Sequence, residues 1–148
     1  MPNKSVLNLD QFIPYRLSVL TNRVSSAIAR HYSERFKLSI PEWRVMAVLG
    51  QTPGLSARQV AERTAMDKVQ VSRAVQSLLE AKRLTRDMHS QDGRVSQLSL
   101  SPQGLAIYKE LVPVALELER EFLAGLSLQD RKLLDRLLTK LSTAVPKS

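Results

Sequence analysis

The sequence contains no cysteine, which excludes disulfide bonds, thiolate metal sites and redox sensing through a thiol. It also lacks any run of 18 apolar residues, and it does not open with a basic segment followed by an apolar one. We therefore expect no membrane span and no signal peptide. Together these absences predict a cytoplasmic protein.

Motifs for catalysis and for metal binding are also lacking. The chain has two histidines, His31 and His89, and no H-E-x-x-H, G-x-S-x-G or glycine-rich phosphate loop. The acidic residues around Arg120 are typical of a solvated charged helix, not of a paired-carboxylate site. We expect no enzymatic activity, no metal and no cofactor.

Acidic side chains are outnumbered by basic ones, 14 to 22, which gives a formal net charge of +8. Residues 1–54 carry 7 basic and 3 acidic side chains, residues 55–101 carry 8 and 5, and residues 102–148 carry 7 and 6. An excess of this size favours nucleic acid or an anionic surface as the partner, but charge alone does not distinguish between them.

Apolar residues recur every three or four positions from Leu17 to Phe36, which predicts a helix from about Asp10 to Phe36. Pro14 falls in its first turn, where a missing N–H is tolerated. Such a helix is about 40 Å long at 1.5 Å per residue. Since this exceeds the width of a small domain, we expect part of it to pack against a second subunit.

Four further helix starts share one local design, in which Ser39, Ser56, Asp67 or Ser101 is the N-cap between two apolar residues. Glutamate or glutamine at the third helical position predicts a capping box after the first three caps. A fifth start follows Ser127. The predicted helices are 40–50, 57–64, 68–82, 102–124 and 128–143.

Between residues 84 and 100 the period changes, because Leu98 and Leu100 alternate with polar residues beyond a turn-rich break at 89–93. This predicts a β-hairpin. Two short helices joined by Ala65-Met66 and followed by a hairpin have the spacing of a winged helix-turn-helix. We expect a mainly α fold with a small β wing: a DNA-binding domain over 37–101, and helical dimerisation regions over 1–36 and 102–148.

The second short helix divides into an apolar and a polar face. Val71, Val75, Leu78 and Leu79 form the inward stripe. The outward residues can hydrogen-bond phosphates and base edges, and a valine can contact a thymine methyl group. They are Lys68, Val69, Gln70, Ser72, Arg73 and Gln76. An ordinary polar surface helix remains the alternative interpretation.

The stretch from Leu84 to Gly104 resembles the wing of the MarR (multiple antibiotic resistance regulator) family. The family pattern is an Asp-x-Arg turn, a short strand, and Leu-Thr/Ser-x-x-Gly at the start of the next helix. The matching residues are Asp92, Arg94, Leu98, Leu100, Ser101 and Gly104. The similarity extends upstream through Leu55, and the helix order fits nearly the whole chain.

This resemblance implies that Arg94 enters the minor groove from the wing tip and that Asp92 holds the turn or the arginine in place. An ordinary solvated turn at 92–94 is the alternative. The resemblance also implies a homodimer whose two recognition helices read a pseudo-palindrome in double-stranded DNA. We include Ser56 and Arg86 in the predicted DNA-binding set.

Two positions depart from the family pattern. Arg83 stands where the family usually has the glycine that ends the recognition helix, and a residue other than glycine is disfavoured at positive φ. Gly93 stands where a second arginine is common, so that one phosphate contact is lost.

Family members often bind a small anionic or aromatic effector beside the dimerisation helices. Basic residues recur every seven positions along the first helix, and the segment from Ile40 to Arg44 resembles members that respond to aromatic acids or their thioesters. The predicted effector-binding residues are Arg16, Arg23, His31, Tyr32 and Trp43. The alternative interpretation is a solvated basic edge with Trp43 in the core.

The sequence therefore predicts a dimeric repressor of neighbouring genes that a small aromatic or anionic effector releases from DNA. A constitutive or architectural DNA-binding protein, and a winged-helix module for protein–protein assembly, are the alternatives.

Overall fold

The computed structural model describes residues 6–88 and 96–146 of the chain. Within these ranges it is mainly helical with one small sheet, which confirms the predicted fold class. A 3₁₀ turn at Leu9–Gln11 precedes the first helix. The other elements are α1 (Ile13–Phe36), α2 (Ile40–Gln51), α3 (Ala57–Thr64), α4 (Lys68–Glu80), β1 (Leu84–Asp87), β2 (Gln97–Leu100), α5 (Pro102–Phe122) and α6 (Leu128–Ala144).

Side-chain caps set most of the helix starts. Ser39 and Ser56 form complete capping boxes with Glu42 and Gln59, as predicted. The box expected at Asp67 does not form: its carboxylate accepts the N–H of Val69 and not that of Gln70, and the N–H of Asp67 makes no return bond to the Gln70 side chain. Ser127 forms a capping box with Asp130 that the sequence reasoning overlooked, since an aspartate stands where Glu or Gln was sought.

The recognition-type helix α4 ends at Glu80, two residues before its predicted end. The N–H of Lys82 donates to the carbonyl of Leu79, and the N–H of Arg83 donates to that of Leu78 at 2.8 Å. This is the Schellman pattern that ends many helices. The left-handed position is Lys82, with φ 60°, so the residue at the unusual backbone angle is Lys82 and not Arg83.

Strands β1 and β2 pair antiparallel, with Leu84 opposite Leu100 and Asp87 opposite Gln97. This confirms the two strands of the predicted hairpin. An isolated bridge between Leu55 and Leu98 attaches the sheet to the segment before α3. The predicted wing-tip residues Asp92, Gly93 and Arg94 lie outside the described residues.

The chain forms two compact units, Met1–Val112 and Pro113–Ser148. The first contains the hydrophobic core, to which α1 to α5 and both strands contribute. Its most buried side chains include Tyr32, Met46, Leu49, Leu78 and Leu98. The predicted functional division at residues 37 and 101 stays a prediction.

The second unit contains α6, which has no buried residue. Its leucines are 43–48% exposed at positions 133, 137, 138 and 141, and Leu128 is 70% exposed. Across the described residues, no helix combines the length and the hydropathy needed to cross a membrane.

Candidate nucleic-acid interface

Helices α3 and α4 form the helix-turn-helix pair of the first unit. Ser56 begins α3: its hydroxyl accepts the N–H of Gln59 at 3.2 Å. The connection contains Ala65 in the left-handed conformation, with φ 54°. Val60 and Ala61 of α3 are buried in the core. The buried face of α3 and the short turn after it determine where α4 begins.

Burial along α4 follows the helical period. Val71, Ala74, Val75 and Leu78 are at most 4% exposed, and Leu79 is half-buried. The inward stripe therefore matches the prediction, with Ala74 in addition. Every residue of the predicted outward set on this helix is exposed, and Val69 is 56% exposed. They are Lys68, Val69, Gln70, Ser72, Arg73 and Gln76.

The exposed face of α4 combines hydrogen-bond donors, acceptors and two cations, with Lys68 at the helix start and Arg73 in the second turn. Lysine and arginine can bind phosphate or guanine, and glutamine can bind the edge of adenine. Gln76 donates to Glu80 at 3.2 Å, so it must exchange this bond to contact another group. The chemistry of this face is suited to reading a DNA groove.

A shallow groove of about 280 Å³ separates α4 from the start of α2. It is lined by Ser39, Pro41, Glu42, Gln70, Arg73, Ala74 and Ser77. The carboxylate of Glu42 closes the α2 capping box with one oxygen and accepts from the Ser77 hydroxyl at 3.2 Å with the other. This carboxylate therefore ties α4 to α2 beside Arg73.

The two remaining described residues of the predicted DNA set lie at the edges of this region. The hydroxyl of Ser56 caps α3 and keeps its proton for another acceptor. Arg86 is exposed on β1, opposite Leu98 of β2. Asp92 and Arg94, the other two residues of the predicted DNA-binding set, lie outside the described residues.

An aromatic row lies between α1, α2 and α5 within the first unit. The ring centroids of Tyr32 and Trp43 are 5.7 Å apart, and those of Trp43 and Tyr108 are 6.4 Å apart. Arg44 donates to the hydroxyl of Ser25 on α1 at 3.1 Å. Burial raises the pKa of Tyr32 to about 12, against an opposing effect of the Arg44 charge.

The predicted effector-binding residues separate into two groups. Tyr32, which is 1% exposed, and the half-buried Trp43 belong to the aromatic row. Arg16, Arg23 and His31 are exposed on α1. Among the described residues, no hydrogen bond or ring contact joins these three to the row.

Sequence reasoning missed Arg44 and Tyr108 as members of this region. Arg44 directly follows Trp43, at the end of the Ile40–Arg44 segment that resembles members responding to aromatic acids. No sequence motif lies beside Tyr108, and its contact with Trp43 depends on how α5 packs against α2. Gly50 provides the space, since a Cβ there would lie 2.4 Å from the Tyr108 ring.

Comparison with known proteins decides what this arrangement is. The MarR-family model matches residues 36–95. A probable transcriptional regulator from Pseudomonas aeruginosa has a crystal structure that is 31% identical, covering 90% of this chain and 99% of that one, with a TM-score of 0.76. The chain belongs to the MarR family.

Two further relatives match this chain over most of their own length. The structure of a MarR/EmrR family regulator from Acinetobacter sp. ADP1 is 27% identical and has a TM-score of 0.85, covering 93% of this chain and 97% of that one. An HTH-type transcriptional repressor of Mycobacterium tuberculosis is 26% identical over 133 residues, which is 89% of this chain and 92% of the repressor.

Membership of the MarR family establishes the class of function. The protein is a DNA-binding transcriptional regulator and not an enzyme. In the described ranges, no cluster of three or more His, Asp or Glu side chains could hold a metal ion.

Proposed function

We propose that this MarR-family protein is a homodimeric repressor that reads a pseudo-palindromic operator with α4 and is released by a small aromatic anion. The observation that carries the proposal is the division of α4 into a buried apolar face and an exposed polar face with two cations. A related chain, the M. tuberculosis protein named above, is described as a repressor.

The chemistry of each exposed side chain suggests the DNA group that it contacts. Arg73 lies half-way along the exposed face and can bind guanine in a bidentate way, whereas Lys68 at the helix start suits phosphate. Gln70 and Gln76 are assigned to base edges, and Val69 to a thymine methyl group. Ser56, Ser72 and Arg86 are assigned to the DNA backbone, and Asp92 and Arg94 of the wing to its minor groove.

The dimer is supported by apolar side chains that a single copy leaves in water. One set comprises Val6, Leu7, Leu9, Phe12, Ile13, Tyr15, Leu17 and Leu20. The other comprises Leu128, Leu133, Leu137, Leu138 and Leu141. Many exposed apolar side chains within one segment are typical of an interface between subunits. Two copies related by a twofold axis would place their recognition helices about one DNA turn apart, roughly 34 Å.

The aromatic row supports an aromatic acid as the effector. Trp43 is half-buried and lies between Tyr32 and Tyr108, with Arg44 as the adjacent cation. A flat ring can stack there while its carboxylate pairs with a guanidinium. A structurally similar regulator, BpsR of Bordetella bronchiseptica, is described as controlled in DNA binding by 6-hydroxynicotinic acid; it is 24% identical, with a TM-score of 0.75. Arg16, Arg23 and His31 would then guide an anion from the surface of α1.

The DNA assignment is tested with a duplex selected by the protein from a random-sequence pool, against a scrambled duplex of equal length. We expect a strong preference for the selected duplex, and affinity that falls steeply with salt. Arg73→Ala should weaken specific binding by about tenfold or more. Lys109→Ala, an exposed cation on α5, is the matched control and should bind as wild type does. Equal binding by the Arg73 variant would refute the assignment of α4.

The dimer is tested by sedimentation equilibrium, which should give twice the chain mass. Leu137→Glu should shift the equilibrium towards monomer and weaken DNA binding.

The effector is tested by thermal shift with benzoate, 6-hydroxynicotinate and benzoyl-CoA. We expect one of these compounds to stabilise the protein and also to release it from the duplex. Arg44→Met should reduce the stabilisation by that compound. If no compound releases the protein from the duplex, effector control is refuted and the protein is a constitutive DNA-binding protein.

A further inference from the structure

Arg83 forms hydrogen bonds with three parts of the first unit, namely α1, α4 and the residue before α5. Its guanidinium Nη2 donates to the carbonyl oxygen of Phe36, the last residue of α1, at 2.7 Å. The side chain is half-buried. Arg83 itself lies between the end of α4 and the first residue of β1, Leu84. One side chain thus joins α1 to the junction of recognition helix and wing.

The acceptor is a group that a helix leaves unsatisfied. Phe36 is followed by Lys37 in the left-handed conformation, with φ 53°, so the chain turns away before another N–H can reach back. Among the described residues, no backbone N–H from outside α1 donates to this oxygen. A guanidinium at a helix C-terminus forms a charge-assisted bond and also interacts favourably with the helix dipole.

The backbone of Arg83 is held on the other sides. Its N–H donates to Leu78 at 2.8 Å, and its carbonyl accepts from the N–H of Ser101 at 3.0 Å. The hydroxyl of Ser101 donates to the carbonyl of Lys82 at 2.7 Å. With the main chain fixed to α4 and to the start of α5, the side chain acts as a short, stiff link to α1.

We propose that Arg83 is a positioning residue that sets the placement of α4 relative to α1, and through it the fit of the two recognition helices to the operator. The inference rests on the proposed function, in which α1 contributes to the dimer and α4 reads DNA. The bond depends on the guanidinium, because a residue without a side-chain donor at position 83 could not reach the Phe36 carbonyl.

The two consequences of losing Arg83 can be separated by experiment. A lost cation weakens binding to all DNA and lowers the salt slope by about one. A lost positioning bond weakens only specific binding, because nonspecific binding does not depend on how the two recognition helices are spaced. The ratio of affinities for the selected and the scrambled duplex therefore reports positioning.

The test uses the full-length protein with Arg83→Met, which keeps the apolar stem, and Arg83→Gln, which is too short to reach Phe36. Both should lower the specificity ratio about tenfold, with scrambled-duplex affinity and salt slope unchanged. Arg83→Lys, which restores one donor, should recover part of the ratio. Lys109→Met is the control for loss of one charge.

Every result of this experiment either supports or overturns the positioning role of Arg83. A wild-type specificity ratio in the folded Met or Gln variant overturns the inference, as does an equal loss of affinity for both duplexes. If neither variant is folded at 25 °C by circular dichroism, Arg83 is required for the fold and the positioning role is wrong. If the wild type itself does not prefer the selected duplex, the proposed function has failed first, and the inference falls with it.

Discussion

Gly104 lies directly against the main chain of Arg83: a Cβ on Gly104 would be 2.0 Å from the Arg83 carbonyl oxygen. The N–H of Gly104 donates to the hydroxyl of Ser101 at 3.0 Å in the first turn of α5. Helix α5 can therefore begin against the exit from α4 only because position 104 has no side chain. Position 104, where glycine matches the family pattern, has no room for a larger residue in this chain.

Gly104→Ala should destabilise the protein strongly. The clash is with backbone and cannot be relieved by rotating a side chain, so we expect a loss of about 3 kcal/mol or more. Gly125→Ala is the control, because a Cβ there would have no atom within 4 Å. Guanidinium unfolding of both variants measures the difference. Similar free energies of unfolding would show that the α4–α5 junction is looser than the structure indicates.

Ser101→Ala removes a hydroxyl that bonds on two sides of the same junction. Its Oγ donates to Lys82 and accepts from Gly104, and the residue is 7% exposed. We expect a loss of about 1–3 kcal/mol, since the Lys82 carbonyl and the buried N–H of Gly104 both lose a partner. Ser99→Ala, on β2, should change the free energy of unfolding by less than about 0.5 kcal/mol. An equal effect of the two substitutions would contradict the assigned role of Ser101.

Lys82→Gly should stabilise the fold. Lysine at φ 60° is strained by about 1–2 kcal/mol, whereas glycine adopts this angle freely but loses about 0.5–1 kcal/mol more backbone entropy on folding. The net expectation is a gain of about 0.5–1 kcal/mol, read as a higher urea midpoint with an unchanged m-value. Lys109→Gly, within α5, should instead lose about 1 kcal/mol. Destabilisation by Lys82→Gly would mean that the lysine side chain contributes more than the strain removes.

Sequence patterns located the helices and strands well, because caps and apolar spacing act over a few neighbouring residues. Ser39 and Ser56 are examples in which the predicted cap and its partner are both present. The predictions were wrong where two neighbouring backbone positions could make hydrogen bonds of similar strength. Asp67 caps the second helical N–H and not the third, and helix α4 ends at a lysine that no glycine signal marks.

The candidate site was predictable where it depends on one helix and not where it depends on several. The outward face of α4 follows from the period alone, so its residues could be named from Lys68 to Gln76. The row that Tyr32 forms with Trp43 and Tyr108 requires three helices to meet. The bond from Arg83 to Phe36 joins residues 47 positions apart. No local pattern contains such information.

Tyr32 makes the stability of the protein depend on alkaline pH. Its pKa is raised by burial from 10.0 to about 12, so between these values the unfolded chain has lost a proton that the folded chain keeps. The unfolded state then binds fewer protons, and the free energy of unfolding falls as pH rises. This contribution is complete below pH 10 and is lost progressively as pH approaches 12.

Tyr32→Phe removes this titration and little else from the packing of the ring. The wild type should therefore lose stability relative to the variant by on the order of 1 kcal/mol between pH 8 and pH 11. Denaturant unfolding of both proteins at each pH gives the difference, in which the lysine titrations common to both cancel. A difference that stays constant with pH would show that the Tyr32 hydroxyl is not desolvated between α1 and α2.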